Sequence, residues 1–229
     1  MLFRSVLVLS NGRPLSVNWA VKHAPAIVEI WFPGEQGGAA LADVLFGDVN
    51  PSGHLAITIP KYVGQIPLNF PAKPGSQAKD RGQVTGPLFP FGFGLSYTQF
   101  EYAGLRIAPA TIGATGEVTV ACDITNTGTR AGTAVPQLYL RDDYSSVTTY
   151  EKVLRGFARV TLAPGESREV RFTLRPEDLQ LFDDNQRWVV EPGRFTVMVG
   201  ESSDDIRLNG SFAVARPDGT VPKEAPVGE

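Results

Sequence analysis

Carboxylates are the chemistry-bearing groups this sequence has in number: 24 Asp and Glu, against one Cys and two His. Two carboxyl groups held in different protonation states can serve as acid and base on a reacting bond. The acids here do not group into such a pair. Glu35 follows Gly34 at the entry of an expected helix, where a negative charge suits the helix N-terminus. Asp43 and Asp48 flank that helix and suit turn or capping roles. Asp142-Asp143, Asp183-Asp184 and Asp204-Asp205 could suggest calcium, but a calcium cage takes about six to eight oxygen ligands. These pairs fall in separate expected loops without EF-hand spacing, so solvated acids are expected there.

Nitrogen and sulfur ligands are scarce. His23 and His54 are the only histidines and Cys122 the only cysteine, too few for a zinc site and unable to form an intrachain disulfide. Cys122 lies in the alternating run Val118 to Ile124, where a buried structural thiol is expected. Gly92-x-Gly94 lacks the third glycine and the strand–helix context of a nucleotide fingerprint, and no G-x-S-x-G elbow is present. No catalytic, cofactor-binding or metal-binding residue is therefore assigned within the chain, and no cofactor is expected. The aromatics Trp31, Phe32, Phe89, Phe91, Phe93 and Tyr97 could stack on a sugar, but aromatics on turn-rich segments are costly to leave in water, and they are expected to fill an internal interface.

The chain of 229 residues is globular in character, with 42% hydrophobic and 20% charged residues. Its net charge of -3 is spread along the sequence. No basic block points to nucleic acid and no polybasic helix to a membrane surface, so neither partner is expected. No apolar run reaches the length of a membrane-spanning helix. Met1 to Ser10 has too short an apolar core for a signal peptide and no small-residue cleavage site, so it reads as a buried strand. Localisation stays open.

The elements that must position these groups divide into two kinds. Val6-Leu7-Val8-Leu9 reads as a strand buried on both faces, broken by Asn11-Gly12-Arg13-Pro14. Ala26 to Trp31 is a second strand candidate, ended by Pro33-Gly34. Ala39, Ala40, Leu41, Val44 and Leu45 recur at helical spacing over Gly38 to Phe46, and Gly47 stands where a left-handed C-terminal cap belongs. Asn50-Pro51-Ser52-Gly53 is a turn signature, and Leu55 to Ile59 alternates into a further strand. Strand–helix alternation argues for an α/β sheet, here with too few elements to cover it.

Residues 61–99 have no clear period and read as a linking loop, polar from Lys73 to Gln83 and aromatic from Phe89 to Tyr97. Residues 100–215 read as an immunoglobulin- or fibronectin-like sandwich of about seven strands. Alternating runs occur at Val118–Ile124, Gln137–Leu140, Val153–Val160, Val170–Leu174, Phe195–Val199 and Ile206–Val214. Pro176 sits near the start of a single helical turn, Arg175 to Leu179. Residues 216–229 read as a loose tail.

The motif set resembles glycoside hydrolase family 3. Asn11-Gly12-Arg13-Pro14, Trp31-Phe32-Pro33-Gly34 with Gly37-Gly38, and Asp43-Val44-Leu45-Phe46-Gly47 with Asn50-Pro51-Ser52-Gly53 are similar to its second domain. Phe91 to Phe100 looks like its junction into a fibronectin type III-like domain. Leu154-Arg155-Gly156-Phe157, Leu162 to Glu166 and Val190 to Phe195 are similar to segments of that last domain. The resemblance implies the end of an α/β sandwich domain (an incomplete domain, 1–60), a linking loop (61–99) and an all-β fibronectin type III-like sandwich (100–215).

It further implies membership in an enzyme that hydrolyses O-glycosidic bonds with retention, of β-glucosidase or β-xylosidase type, using two carboxyl groups about 5–5.5 Å apart. In the family the nucleophile Asp lies on a preceding barrel. In its β-glucosidase-like members the acid/base Glu lies on the sandwich domain, upstream of the segment resembling Asn11 to Pro14. Neither position falls within this chain, so the isolated chain is expected to be inactive. The implied partners are a β-linked oligosaccharide or glycoside and the barrel domain, in the same chain or a separate one. The periplasm or extracellular space would suit the full-length enzyme. The alternative is a stand-alone carbohydrate- or partner-binding module.

Overall fold

The computed structural model describes residues 5–65, 68–76 and 85–222. Val6–Leu9 (β1) and Ala26–Glu29 (β2) pair in parallel, Val6 opposite Ala26 and Leu9 opposite Glu29. A parallel pair needs a crossover, and this one carries the helix Asn18–His23 (α1). A turn after β2 leads into Gly37–Phe46 (α2), where the helical spacing predicts a helix. Gly47 closes α2 at φ 85, its N–H donating to the Val44 carbonyl. A side chain there would clash with the backbone, which is why glycine marks the stop.

Two expectations for this part need correction. The continuous apolar run of β1 predicts burial on both faces, yet its pattern is one exposed and three intermediate positions. Among the described residues β1 and β2 pair only with each other, so their faces lack the cover such a run is suited to. Leu55 to Ile59 forms no strand. It lies beside Phe89 to Phe93 through irregular bonds: Leu55 N–H donates to Phe93 O (2.8 Å), Gly92 N–H to Leu55 O (2.7 Å) and Ile59 N–H to Phe89 O (2.9 Å). Pro60 and Pro90 remove ladder donors on both sides, leaving the single bridge Ile59–Phe89.

The described part of the linking loop is irregular but packed. Phe70 stacks on Phe91 at 4.4 Å and meets Tyr139 edge-on at 5.6 Å. Lys61 Nζ donates to Thr85 O at 2.8 Å. Residues 77–83 of the expected polar stretch, Met1 to Arg4 of the first strand reading and residues 223–229 of the expected tail lie outside the described residues.

Beyond the loop the described residues are all β apart from one helical turn. The elements are Phe100–Ala108 (β3), Thr111–Ile112 (β4), Val118–Asn126 (β5), Gly132–Ala134 (β6), Gln137–Asp142 (β7), Val153–Phe157 (β8), Val160–Leu162 (β9) and Ser167–Leu174 (β10). Pro176–Leu179 (α3), Leu181–Phe182 (β11), Trp188–Val189 (β12), Gly193–Gly200 (β13) and Ile206–Val214 (β14) follow. One sheet runs β10-β5-β3 and the facing one β4-β14-β13-β7-β8. Alternation drives the packing: Val170, Phe172 and Leu174 of β10 are buried while Arg171 and Thr173 between them are exposed. Val120, Cys122, Ile124, Leu138, Leu140 and Val197 are among the side chains that meet between the sheets, and Phe195 stacks on Phe212 at 5.4 Å.

The expected strand Val153–Val160 is two strands. β8 pairs with β7 and β9 with β6, so the chain changes partners at Ala158-Arg159 and one alternating run serves two sheets. β3 was not among the alternating runs because Glu101, Ala103, Gly104 and Arg106 interrupt its pattern. Its ladder to β5 shifts register between Ala103 and Arg106. No helix among the described residues is long and apolar enough to cross a membrane.

Candidate functional site

In α/β sheets the loops at the carboxyl ends of parallel strands carry ligand sites. At the ends of β1 and β2 two such loops lie side by side, and one side chain holds them together. The Glu29 carboxylate accepts from Asn11 Nδ2 through Oε2 and from Trp31 N–H through Oε1, both at 2.9 Å. Ser10 Oγ donates to Trp31 O at 2.9 Å, and Ile30 N–H donates to Leu9 O at 2.9 Å.

The clamp holds an uncommon backbone. Trp31 has φ 48, in the left-handed region that side chains avoid, at a cost of about 1–3 kcal/mol that the surroundings must hold in place. This geometry turns Phe32 outward, where it is 78% exposed. Its ring lies over Gly12, where an added Cβ would come within 2.7 Å of the ring. Asn11 Oδ1 is buried without a hydrogen-bond partner among the described residues, which adds a desolvation cost to the same loop.

The carboxylates singled out in the sequence stand elsewhere. Glu35 is exposed ahead of α2, whose N-cap Gln36 makes no side-chain cap. Asp43 does not flank α2 but lies within it, exposed, and its carbonyl accepts from Val49 N–H at 3.0 Å. Asp48 is exposed in the turn that follows. Sequence reasoning missed Glu29. The available signal was one acid closing the apolar run from Ala26, three residues from Phe32.

Asp142, Asp143 and Asp183 are less solvated than expected, whereas Asp184 and Asp204 are exposed. Asp143 accepts from Arg141 Nε and Arg194 Nε, both at 2.8 Å, and from Thr196 Oγ1 at 2.9 Å. These partners outweigh its desolvation and hold its carboxyl below the usual range. Burial instead pushes Asp142 up to about 7, with a smaller push from the Glu191 charge. Asp183 pairs with Arg187 and Asp205 with Arg207. Among the described residues no group of three or more His, Cys, Asp or Glu could hold a metal ion. Cys122 is fully buried in β5, which raises its thiol to about 11. Burial lowers His54, whose Nδ1 lies 3.1 Å from Ser52 O, and His23 stacks on Trp19 at 4.5 Å.

Phe89, Phe91, Phe93 and Tyr97 separate from Trp31 and Phe32. Phe89 packs against Phe93 at 5.0 Å, Phe91 against Phe70, and Tyr97 OH donates to Val44 O at 2.8 Å. Phe70, which also meets Tyr139, and Tyr97, whose ring lies 5.8 Å from the Arg130 guanidinium, join the linking loop and α2 to the sandwich. Asn50 is the centre of that junction. Its Oδ1 accepts from Ser96 Oγ (3.0 Å) and Tyr97 N–H (2.8 Å), and its Nδ2 donates to Ala131 O (2.9 Å). Arg159 Nη2 donates to Ser52 Oγ at 2.9 Å, and Gln137 Nε2 to Gly92 O at 3.0 Å.

An α/β segment with loops clamped at its strand ends, joined by hydrogen bonds to a fibronectin-type sandwich, is the class of protein these features define. Residues 3–97 match the glycosyl hydrolase family 3 C-terminal domain, and residues 134–203 match a fibronectin type III-like domain. A β-xylosidase of Formosa agariphila is 46% identical over 88% of this chain and 29% of its own length. A periplasmic β-glucosidase of Salmonella typhimurium is 42% identical over 90% of this chain and 28% of its own. A solved β-glucosidase of Erythrobacter marinus superposes with a TM-score of 0.88 at 42% identity, over 92% of this chain and 28% of that one. The chain belongs to glycoside hydrolase family 3, of which it carries the C-terminal domain and the fibronectin type III-like domain. It spans less than a third of the length of these relatives.

Proposed function

We propose that this chain works as the C-terminal portion of a retaining β-glycosidase that hydrolyses O-glycosidic bonds of β-glucosides or β-xylosides. The observation that carries this reading is the match of both domains, in order, to relatives named β-glucosidase and β-xylosidase. The substrate is a β-linked oligosaccharide or glycoside. The main protein partner is the barrel domain, in the same chain or a separate one. The nucleophile Asp and acid/base Glu belong to that remaining portion, and residues 1–229 supply no catalytic carboxylate. The units are an α/β segment (1–60), a linking loop (61–99), a fibronectin type III-like sandwich (100–215) and a tail (216–229).

The apolar surface of the α/β segment supports this over a stand-alone module. Trp19 is 73% exposed and Phe46 84% exposed, the kind of surface that a partner domain covers. The test is reconstitution. The chain is joined to, or co-expressed with, the preceding portion of the Erythrobacter marinus β-glucosidase and assayed on aryl β-glucoside and aryl β-xyloside. Turnover that requires both portions supports the reading. A folded, soluble assembly without turnover on either substrate overturns it.

A further inference from the structure

The Glu29 clamp is more elaborate than two short loops need for closure. Backbone bonding between β1 and β2 already continues to Ile30 N–H and Leu9 O. Glu29 adds a charged acceptor whose two oxygens each take a separate loop, and hydrogen bonds to charged groups are the strong ones. The clamp fixes Trp31 in a left-handed conformation and Phe32 at 78% exposure. Phe89, Phe91, Phe93 and Tyr97 make ring or hydroxyl contacts elsewhere, and Trp31 is half-buried in the clamp. Phe32 is the most exposed ring among them, and it stands on the side of the sheet where α/β proteins bind ligands.

We infer that Phe32 is a sugar-stacking residue and that Glu29 is its positioning residue, through Asn11 and Trp31. The ligand class is the pyranose ring of a β-glucoside or β-xyloside, so the inference rests on the glycosidase reading. Such rings place axial hydrogens on their faces and hydroxyls around their edges, so a face is apolar and packs on an aromatic ring. A rigid ring on a clamped loop binds at low entropic cost, because its ordering has already been met by folding. The buried, unpartnered Asn11 Oδ1 fits the same picture: Asn11 is held for the amide it gives to Glu29, at the cost of its other end.

Two measurements test the inference. In the 229-residue chain, amide exchange at Trp31 reads the clamp directly. Glu29→Ala is expected to speed exchange at Trp31 at least tenfold while β13 and β14 stay unchanged. Equal exchange at Trp31 in the two proteins overturns the clamp. In the enzyme joined to the preceding portion of the Erythrobacter marinus β-glucosidase, Phe32→Leu keeps an apolar side chain but removes the ring face. It is expected to raise KM for aryl β-glucoside about tenfold with kcat nearly unchanged, and Phe32→Tyr to restore it. Glu29→Gln is expected to follow Phe32→Leu in KM. If Phe32→Leu lowers the melting temperature or assembly but leaves KM as in the parent, Phe32 is covered by protein and the stacking role is wrong. If the parent joined enzyme turns nothing over, the glycosidase reading fails and the stacking role falls with it, while exchange at Trp31 still decides the clamp.

Discussion

The α/β segment and the sandwich contain similar apolar runs, yet only the sandwich buries them. Val197 and Leu138 of the sandwich are almost wholly shielded from solvent, whereas Val6 of β1 is 47% exposed and Phe46 of α2 84% exposed. The sandwich closes a core between its own two sheets. Among the described residues the α/β segment has one pair of strands and two short helices, and its order comes from specific polar contacts. These are the Glu29 clamp at one end and the Asn50 junction at the other. One region is stable through area, the other through a few hydrogen bonds and whatever surface later covers it.

This contrast fixes the ranking of substitution effects. The largest belongs to the sandwich core: Phe195→Ala is expected to cost about 3–5 kcal/mol in urea unfolding. Phe46→Ala, equally drastic in chemistry, is expected to change unfolding of the isolated chain by less than about 0.5 kcal/mol and to reduce self-association in light scattering. Comparable losses from both would break the comparison. Next comes the junction. Asn50→Ala leaves the Tyr97 and Ala131 groups without partners, at about 1–3 kcal/mol. It is expected to separate a proteolytically sensitive α/β segment from a resistant sandwich.

A smaller effect is written in pH. Asp142 has a folded pKa of about 7, above its ordinary value of 3.8, because burial disfavours its charge. The folded state therefore holds the proton more tightly than the unfolded one. The associated stability is fully present below about pH 4 and is lost as pH rises through about 7. After allowance for partial solvent access, Asp142→Asn is expected to flatten this slope by about 1 kcal/mol between those limits. Asp143 works in the opposite direction, its lowered pKa giving stability that is lost as the pH falls into the acid range. The smallest effect is that of the exposed Arg106–Asp123 pair, joined at 2.8 Å. Arg106→Ala is expected to leave the melting temperature unchanged within measurement.

The sandwich was legible because inward alternation is a local signal, and Ile206–Val214 matches its expected bounds. The α2 stop at Gly47 was legible for the same reason. The sheet change at Ala158-Arg159 was not, because alternation says which face a residue takes and not which strand it pairs with. Leu55 to Ile59 misled because its alternation is real while the prolines beside it deny it a ladder. The candidate site was the least legible. Glu29 occupies a single position in an apolar run. Its role depends on Asn11, 18 residues away, and on a Trp31 conformation that residue type argues against.

In the proposed function this chain supplies a scaffold and a positioned aromatic wall, and the reacting carboxylates lie on the remaining portion of the enzyme. Hydrolysis of aryl β-glucoside by the purified 229-residue chain tests it most directly. The expected result is no turnover above the buffer rate alone, and turnover once the preceding portion of a relative is added. Turnover by the chain alone that a single substitution at Glu29, Glu35 or Asp43 abolishes would contradict the claim.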